Sequence, residues 1–177
     1  FLGLADRLGI DLAADVEAPD ADRILATADK VSRIAERFSQ YLTFKLVGAR
    51  DIEDSAFNEA ALGCGFVYSE GHYEKRDAGG ADPLIVLGRM PQLKNELGLG
   101  INIPLTNPAA KPLTELCAVA NDLACRLDLE LTDPYGAPVT AASASAMAHQ
   151  LEGCYREMAT VGVPAGSPRA RRIFSAA

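Results

Sequence analysis

The spacing of apolar residues changes along the chain, and each change predicts a new element of secondary structure. In residues 21–39 the apolar side chains recur every three to four positions, which is the period of an amphipathic helix. Charged residues fill half of the other positions and define the opposite face, so the apolar stripe is narrow and must pack on the domain core or on a partner chain. The stripe consists of Ile24, Ala28, Val31, Ala35 and Phe38.

Residues 40–47 change to alternation of apolar and mixed positions, which predicts the first strand. After a short turn, residues 52–62 predict a helix with Asp51 as its N-cap. The apolar face of the strand consists of Leu42, Phe44 and Leu46.

Residues 63–76 read G-C-G-F-V-Y-S-E-G-H-Y-E-K-R and predict a β-hairpin that follows the end of a helix. Gly63 and Gly65 are typical of a helix C-terminus. An apolar run then forms the first hairpin strand, residues 69–71 interrupt it, and the following residues resume the strand pattern.

The middle of the chain predicts two further strands. Residues 83–89 form a near-continuous apolar run of strand length, and residues 90–98 read as a connector. Residues 100–105 alternate again. Pro104 has no amide proton to donate to a ladder, so this strand is expected at a sheet edge or with a bulge.

The last part of the chain predicts two helices separated by a strand. Residues 113–127 have the strongest amphipathic pattern, residues 128–132 alternate as a strand, and residues 141–160 form the final helix. Residues 164–177 contain glycine, proline and three arginines, which predicts a flexible basic tail.

This order of elements predicts an α+β fold. Several strands follow one another directly, which excludes a purely parallel sheet. A mostly antiparallel sheet with helices packed on one face therefore results, and its other face stays partly open. We divide the chain into an N-terminal helical arm with its linker (1–39), a single domain (40–163) and the tail (164–177).

Composition narrows the classes of function. The net charge of −7 disfavours nucleic-acid binding, because phosphate contacts need a basic face. No run of 18 apolar residues occurs, so no membrane span is predicted. The sequence begins at Phe1 rather than Met, which suggests either processing or a fragment of a longer protein; in a fragment, any upstream anchor would lie outside this sequence. The four cysteines lack C-x-x-C spacing and are read as buried free thiols in a reducing compartment.

Catalytic and cofactor motifs are absent from the sequence. Two histidines, His72 and His149, are too few for most histidine metal sites, and no G-x-S-x-G or Walker motif occurs. A pair of Cys64 and His72 would imitate a thiol nucleophile with its base, although a packed thiol beside an unrelated histidine is the simpler interpretation. We therefore predict a non-enzymatic domain without cofactor, metal or catalytic residues.

In the order of their elements and in several sequence motifs, residues 41–158 resemble the C-terminal FtsZ-binding domains of the bacterial ZipA cell-division proteins. The most specific part is F-N-E-A-A-L-G-C-G-F-V-Y-S-E-G-H-Y-E-K-R at residues 57–76. L-I-V-L-G-R-M, G-I-N-I-P-L and L-A-C-R-L-D-L-E-L-T-D follow in the order and spacing of the family. Residues 1–40 match nothing in it.

The resemblance implies a split β-α-β sheet whose open face is a shallow apolar groove. This groove would take the C-terminal tail of the tubulin-like protein FtsZ as a helix. It also implies a place on the cytoplasmic face of the inner membrane at the division site, with the membrane reached only through an anchor absent from this sequence.

The resemblance assigns the groove to seven positions on several strands. Gly71 stands where the family usually has a bulkier apolar residue, and Pro104 where it has an aromatic one. Both departures would thin the groove and weaken binding. Lys45 and Lys75 would pair with acidic residues of the tail. The seven positions are Lys45, Val47, Gly71, Tyr73, Met90, Asn102 and Pro104.

Two alternatives stay open at this point. The domain would instead bind or transform a small molecule, with its site on the same open face, and a deep pocket with converging polar groups would favour that function. Alternatively, the helix at residues 21–39 would pair with its copy in a self-assembly module.

Overall fold

The computed structural model describes residues 20–76 and 83–175. The chain divides into two compact units, residues 1–36 and residues 37–177. Residues 1–19 of the predicted arm lie outside the described part, as do residues 77–82. Helix α1 (Ala21–Phe38) forms where the apolar stripe predicts it, and the Asp20 carboxylate accepts hydrogen bonds from the first backbone N–H groups of the helix.

The second unit contains six strands and four α-helices in its described residues, and four of the strands follow one another directly. Two short 3₁₀ turns, Ile103–Leu105 and Pro108–Ala110, join its fifth strand to its second helix. In chain order, the elements are β1 (Tyr41–Gly48), α2 (Asp54–Gly63), β2 (Val67–Ser69), β3 (His72–Arg76), β4 (Pro83–Met90), β5 (Leu93–Asn102), α3 (Pro112–Leu127), β6 (Leu129–Thr132), α4 (Ala141–Thr160) and α5 (Pro168–Phe174).

The described strands form one six-stranded sheet in the order β2-β3-β4-β5-β1-β6. Every neighbouring pair is antiparallel. Since β1 lies between β5 and β6, and α3 connects those two strands, they form a split β-α-β unit. The α+β class predicted from the sequence is thus confirmed, with a sheet that is antiparallel throughout its described pairs.

The core lies between one face of the sheet and the helices. The central strands contribute Phe44, Leu46, Leu87, Leu99 and Ile101, which are almost fully buried. Residues of three helices join the same hydrophobic cluster, among them Phe57 and Ala61 of α2, Leu116 and Leu123 of α3, and Leu151 of α4. The apolar face predicted for β1 therefore points toward the helices.

The prediction of a connector at residues 90–98 is wrong, because most of these residues belong to β5. Strands β4 and β5 form a tight hairpin, in which Gln92 has a φ of 72°. The strand predicted at 100–105 ends at Asn102. Pro104 lies in the 3₁₀ turn that follows, where its missing N–H costs no ladder hydrogen bond.

The flexible tail predicted at residues 164–177 is also corrected. Helix α5 forms within it, with Ala170 and Phe174 buried. The Gly166 N–H donates to the Pro104 carbonyl at 2.9 Å, which ties this segment to the turn after β5. Asp51 does not cap α2 as predicted; Glu53 occupies the N-cap and makes no side-chain capping bond.

Candidate binding groove on the open sheet face

The sheet face opposite the core is defined by the residues that alternate with the buried ones. On β1 these residues are Tyr41, Thr43, Lys45 and Val47, none of which is fully buried. The β-ladder places Thr43 opposite Gly100 and Lys45 opposite Gly98 on β5. Because paired residues share a face, β1 side chains border positions on β5 that carry no side chain.

Three glycines on this face form what we call the glycine floor: Gly88, Gly98 and Gly100. Gly88 of β4 lies opposite Gly98, and Val86 lies opposite Gly100. A shallow, mainly apolar groove of about 540 Å³ runs along the centre of the sheet; Gly98 and Gly100 line it, and Gly88 lies beside it. Its lining consists of Tyr41, Thr43, Phe44, Lys45, Val86, Met90, Gly98, Leu99, Gly100, Asn102 and Pro134.

The groove has a flexible wall at one end and an aromatic wall at the other. A Cβ atom at Gly98 would lie 3.0 Å from the Met90 sulfur, so the Met90 thioether extends over the floor. At the opposite end, the Asn102 amide donates to the Tyr41 hydroxyl at 3.1 Å. Unbranched methionine adapts its shape to a ligand, whereas tyrosine presents a rigid apolar ring with a polar tip.

Few charged side chains line the groove, and a cluster of charged side chains around Glu74 lies next to it. Lys45 is the one cation among the residues that line the groove in the described part of the chain. Glu74 stands opposite Val86, next to the groove. Its carboxylate lies 2.7 Å from the Arg76 guanidinium and 3.0 Å from Nε2 of His72. The hydrogen bond from Arg76 is the main cause that lowers the pKa of Glu74, and burial partly opposes it.

The lowered pKa of Glu74 predicts a loss of stability in acid. The stabilisation is complete above the unfolded-state pKa of about 4.3, and it disappears as the pH falls through the lower folded-state pKa. Urea unfolding at a series of pH values should therefore show that Glu74→Gln is less stable than the native protein at pH 7. The difference should shrink below pH 4. Glu152→Gln, at an exposed position of α4, should follow the native curve, and a pH-independent difference for Glu74→Gln would contradict the prediction.

The structure brings together three of the seven residues assigned by the resemblance. Lys45, Met90 and Asn102 all line the groove. Val47 lies on the same face just outside it, opposite Glu96 and Glu130 on the two neighbouring strands.

The other three assigned positions lie elsewhere. Tyr73 is buried on the helix side, where it is paired with Leu87 and its hydroxyl donates to Asn58 of α2. Gly71 occupies the β2–β3 turn, where its φ of 94° suits glycine, so the absence of a larger residue does not thin the groove. Pro104 is buried in the 3₁₀ turn. Lys75, assigned to the tail's acidic residues, instead forms an ion pair with Glu115 at 2.8 Å.

Sequence reasoning missed the glycines of this face and the lining residues Tyr41 and Val86. The signal was present, since Gly98 and Gly100 alternate with Leu97, Leu99 and Ile101. Alternation of glycine with large apolar residues indicates a strand with one buried face and one bare face.

The thiol–histidine pair considered from the sequence does not form. The Cys64 thiol donates to Asp122 at 3.2 Å on the helix side, whereas His72 faces Glu74 on the open side. Burial raises the pKa of Cys64 to about 11, and the neighbouring Asp122 acts in the same direction. The thiol is therefore protonated at neutral pH and unsuited to act as a nucleophile.

A second cleft, of about 510 Å³, lies where β1 ends and α2 begins. Its charged side chains have both signs, and one of them, Arg126, is already paired with Asp122 at 2.9 Å. Within residues 20–76 and 83–175, no three His, Cys, Asp or Glu side chains come together in a way that would hold a metal ion.

Comparison with known proteins gives no match to any protein-family model or to any curated protein. None of the helices in the described ranges combines the length and the hydropathy needed to cross a membrane.

Proposed function

We propose that this domain is a non-enzymatic adaptor that binds the C-terminal tail of FtsZ as a helix in the groove above the glycine floor. The observation that carries the proposal is a shallow apolar groove on the open face of an antiparallel sheet. This is the surface that the resemblance to the ZipA domains implies, and helix-in-groove recognition requires such a surface.

The lining suits a peptide better than a small polar substrate. Met90 packs over Gly98 and can adjust its shape to the apolar side chains of a ligand, and the Thr43 methyl group packs over Gly100. Tyr41 is well exposed and can pack along the helix. Lys45 supplies one positive charge for an acidic residue of the tail. Because a few residues usually carry most of the energy of an interface, we expect Met90, Tyr41 and Lys45 to supply most of the binding energy.

In this proposal the domain helps to tether the division ring to the inner membrane from its cytoplasmic face. The membrane contact would come through an anchor outside this sequence. The alternative of a small-molecule-binding or enzymatic domain needs converging polar groups, and the groove offers only Lys45 as a charged side chain among its lining residues.

Fluorescence anisotropy with a labelled FtsZ C-terminal peptide tests the proposal. We expect binding in the micromolar range, and Met90→Ala should weaken it about tenfold, equivalent to about 1.4 kcal/mol. Val67→Ala is the matched control, because Val67 is an exposed apolar residue of the edge strand β2 and lies outside the groove lining.

Two results would contradict the proposed function. One is the absence of binding up to millimolar peptide, and the other is equal weakening by Met90→Ala and Val67→Ala. In either case the open face should be searched for a different ligand.

A further inference from the structure

Thr132, the last residue of β6, is a buried polar residue whose hydroxyl has no partner within the fold. The residue is 7% exposed, and its Oγ1 atom makes no hydrogen bond with any residue in the described ranges. Thr106 is also buried, but its hydroxyl donates to the Asn102 carbonyl at 2.6 Å. Because a buried hydroxyl without a partner destabilises a protein, such a group needs an explanation, and a ligand provides one.

The β-ladder places Thr132 beside the cation of the groove lining. Thr132 of β6 lies directly opposite Lys45 of β1. The preceding residue, Leu131, packs against the core, so the Thr132 side chain lies on the open face together with Lys45. On its other side Lys45 is paired with Gly98, which has no side chain. The hydroxyl of Thr132 and the ammonium group of Lys45 are therefore cross-strand neighbours.

The loop after β6 offers no backbone donor to the hydroxyl. Pro138 forms a β-bridge with Thr132 on the side away from Lys45, and Pro134 lines the groove two residues after Thr132. Proline has no N–H group, so neither residue can donate a hydrogen bond. Among the groups placed around it by the sheet, Lys45 is thus the polar neighbour of the hydroxyl.

The acidic residues nearest to this pair are occupied or lie to one side of it. The Asp133 carboxylate accepts two backbone N–H groups of its own turn, at 2.9 and 2.8 Å. Glu96 and Glu130 lie opposite Val47, the next residue of β1 on this face. Lys45 forms no ion pair with any residue in the described ranges. A negative group of a ligand can therefore reach the ammonium group from the groove.

The two groups together suit a carboxylate. Lys45 supplies a positive charge with N–H donors, and Thr132 supplies an O–H donor. Both oxygens of a carboxylate accept hydrogen bonds, so one carboxylate can bind both groups at once, and hydrogen bonds to a charged acceptor are stronger than those between neutral groups. Binding would also satisfy the hydroxyl that has no partner in the free domain.

We propose that Lys45 and Thr132 form a carboxylate-binding subsite at the β6 side of the groove, and that it takes an acidic side chain of the bound peptide. The inference rests on the proposed function, because the peptide brings the carboxylate. It adds Thr132 to the residues that contact the ligand, and it fixes the side of the groove on which the acidic residue lies.

Fluorescence anisotropy tests the subsite with two labelled peptides: the FtsZ C-terminal peptide and the same peptide with its Asp and Glu residues replaced by Asn and Gln. Thr132→Val keeps the shape of the side chain and removes the hydroxyl. It should weaken binding of the acidic peptide about tenfold and change binding of the amide peptide by less than about twofold. Thr114→Val, at an exposed position of α3, is the matched control and should bind both peptides as the native domain does.

Urea unfolding of the free domain separates a role in binding from a role in folding. Thr132→Val loses no hydrogen bond of the free domain, so its unfolding midpoint should equal or exceed the native one. Thr106→Val loses the bond to the Asn102 carbonyl, so its midpoint should fall.

The outcomes distinguish the subsite from the proposed function. Tight binding of the acidic peptide to Thr132→Val, or equal weakening of both peptides, would overturn the subsite and leave the proposed function standing. A lower unfolding midpoint of Thr132→Val would give the hydroxyl a structural role and would also overturn the subsite. Absence of binding to the native domain would overturn the proposed function and the subsite together.

Discussion

Replacing Gly88 with tyrosine is expected to abolish most peptide binding while leaving the sheet intact. Gly88 is the cross-strand partner of the groove residue Gly98, and a Cβ atom there would meet no other atom within 4 Å. The new ring would occupy the groove, so we expect the peptide affinity to fall by about 30-fold or more, equivalent to about 2 kcal/mol.

The same substitution should not destabilise the fold. Gly88 has an ordinary strand conformation, and tyrosine favours strands where glycine does not, so the free energy of unfolding should stay equal or rise by up to about 1 kcal/mol. Gly153→Ala in α4 is the matched control, because it also adds a side chain into open space but lies away from the groove. Unchanged peptide affinity in a folded Gly88→Tyr protein would show that the peptide does not occupy the groove.

Replacing Tyr73 with alanine is expected to cost about 3–5 kcal/mol in the free energy of unfolding. The ring is buried on the helix side, with edge-to-face contacts to Phe57 at 5.0 Å and to Tyr68 at 5.2 Å. Its removal leaves a cavity between β3 and α2. Urea unfolding followed by circular dichroism measures the loss, and a loss below about 1 kcal/mol would contradict this placement.

The Tyr73→Phe variant distinguishes a structural role of Tyr73 from a role in peptide binding. This variant keeps the ring and removes only the hydrogen bond to Asn58, which should cost about 0.5–1.5 kcal/mol. Because Tyr73 faces away from the groove, the peptide affinity should stay within about twofold of the native value. A tenfold loss of affinity would instead place Tyr73 at the binding surface.

Much of the fold was predictable because burial imposes regular periods on the sequence. The alternation around Phe44 predicted both the strand β1 and its buried face, and the 3.6-residue period at Leu116 and Leu123 predicted α3. Strand β5 was only partly predicted, because glycine is rare in strands and Gly98 resembled a break rather than a bare strand position.

The sheet face on which each side chain lies was harder to predict than the positions of the strands. Alternation separates Tyr73 from His72 and Glu74 but does not say which set faces the helices. Burial of the aromatic ring against Phe57 decides it, and that contact joins residues distant in sequence. Similarly, the tail helix α5 depends on packing at Phe174 and on the hydrogen bond between Gly166 and Pro104, which its own composition does not reveal.

The most direct test of the groove is a ¹⁵N NMR titration of the native protein with the FtsZ C-terminal peptide. The proposed function predicts that the largest amide shift changes occur at Lys45, Gly98 and Gly100, with little change at Ala120 and Leu123 of α3. Shift changes concentrated on the helices, or none at millimolar peptide, would contradict the assignment of this groove as the binding site.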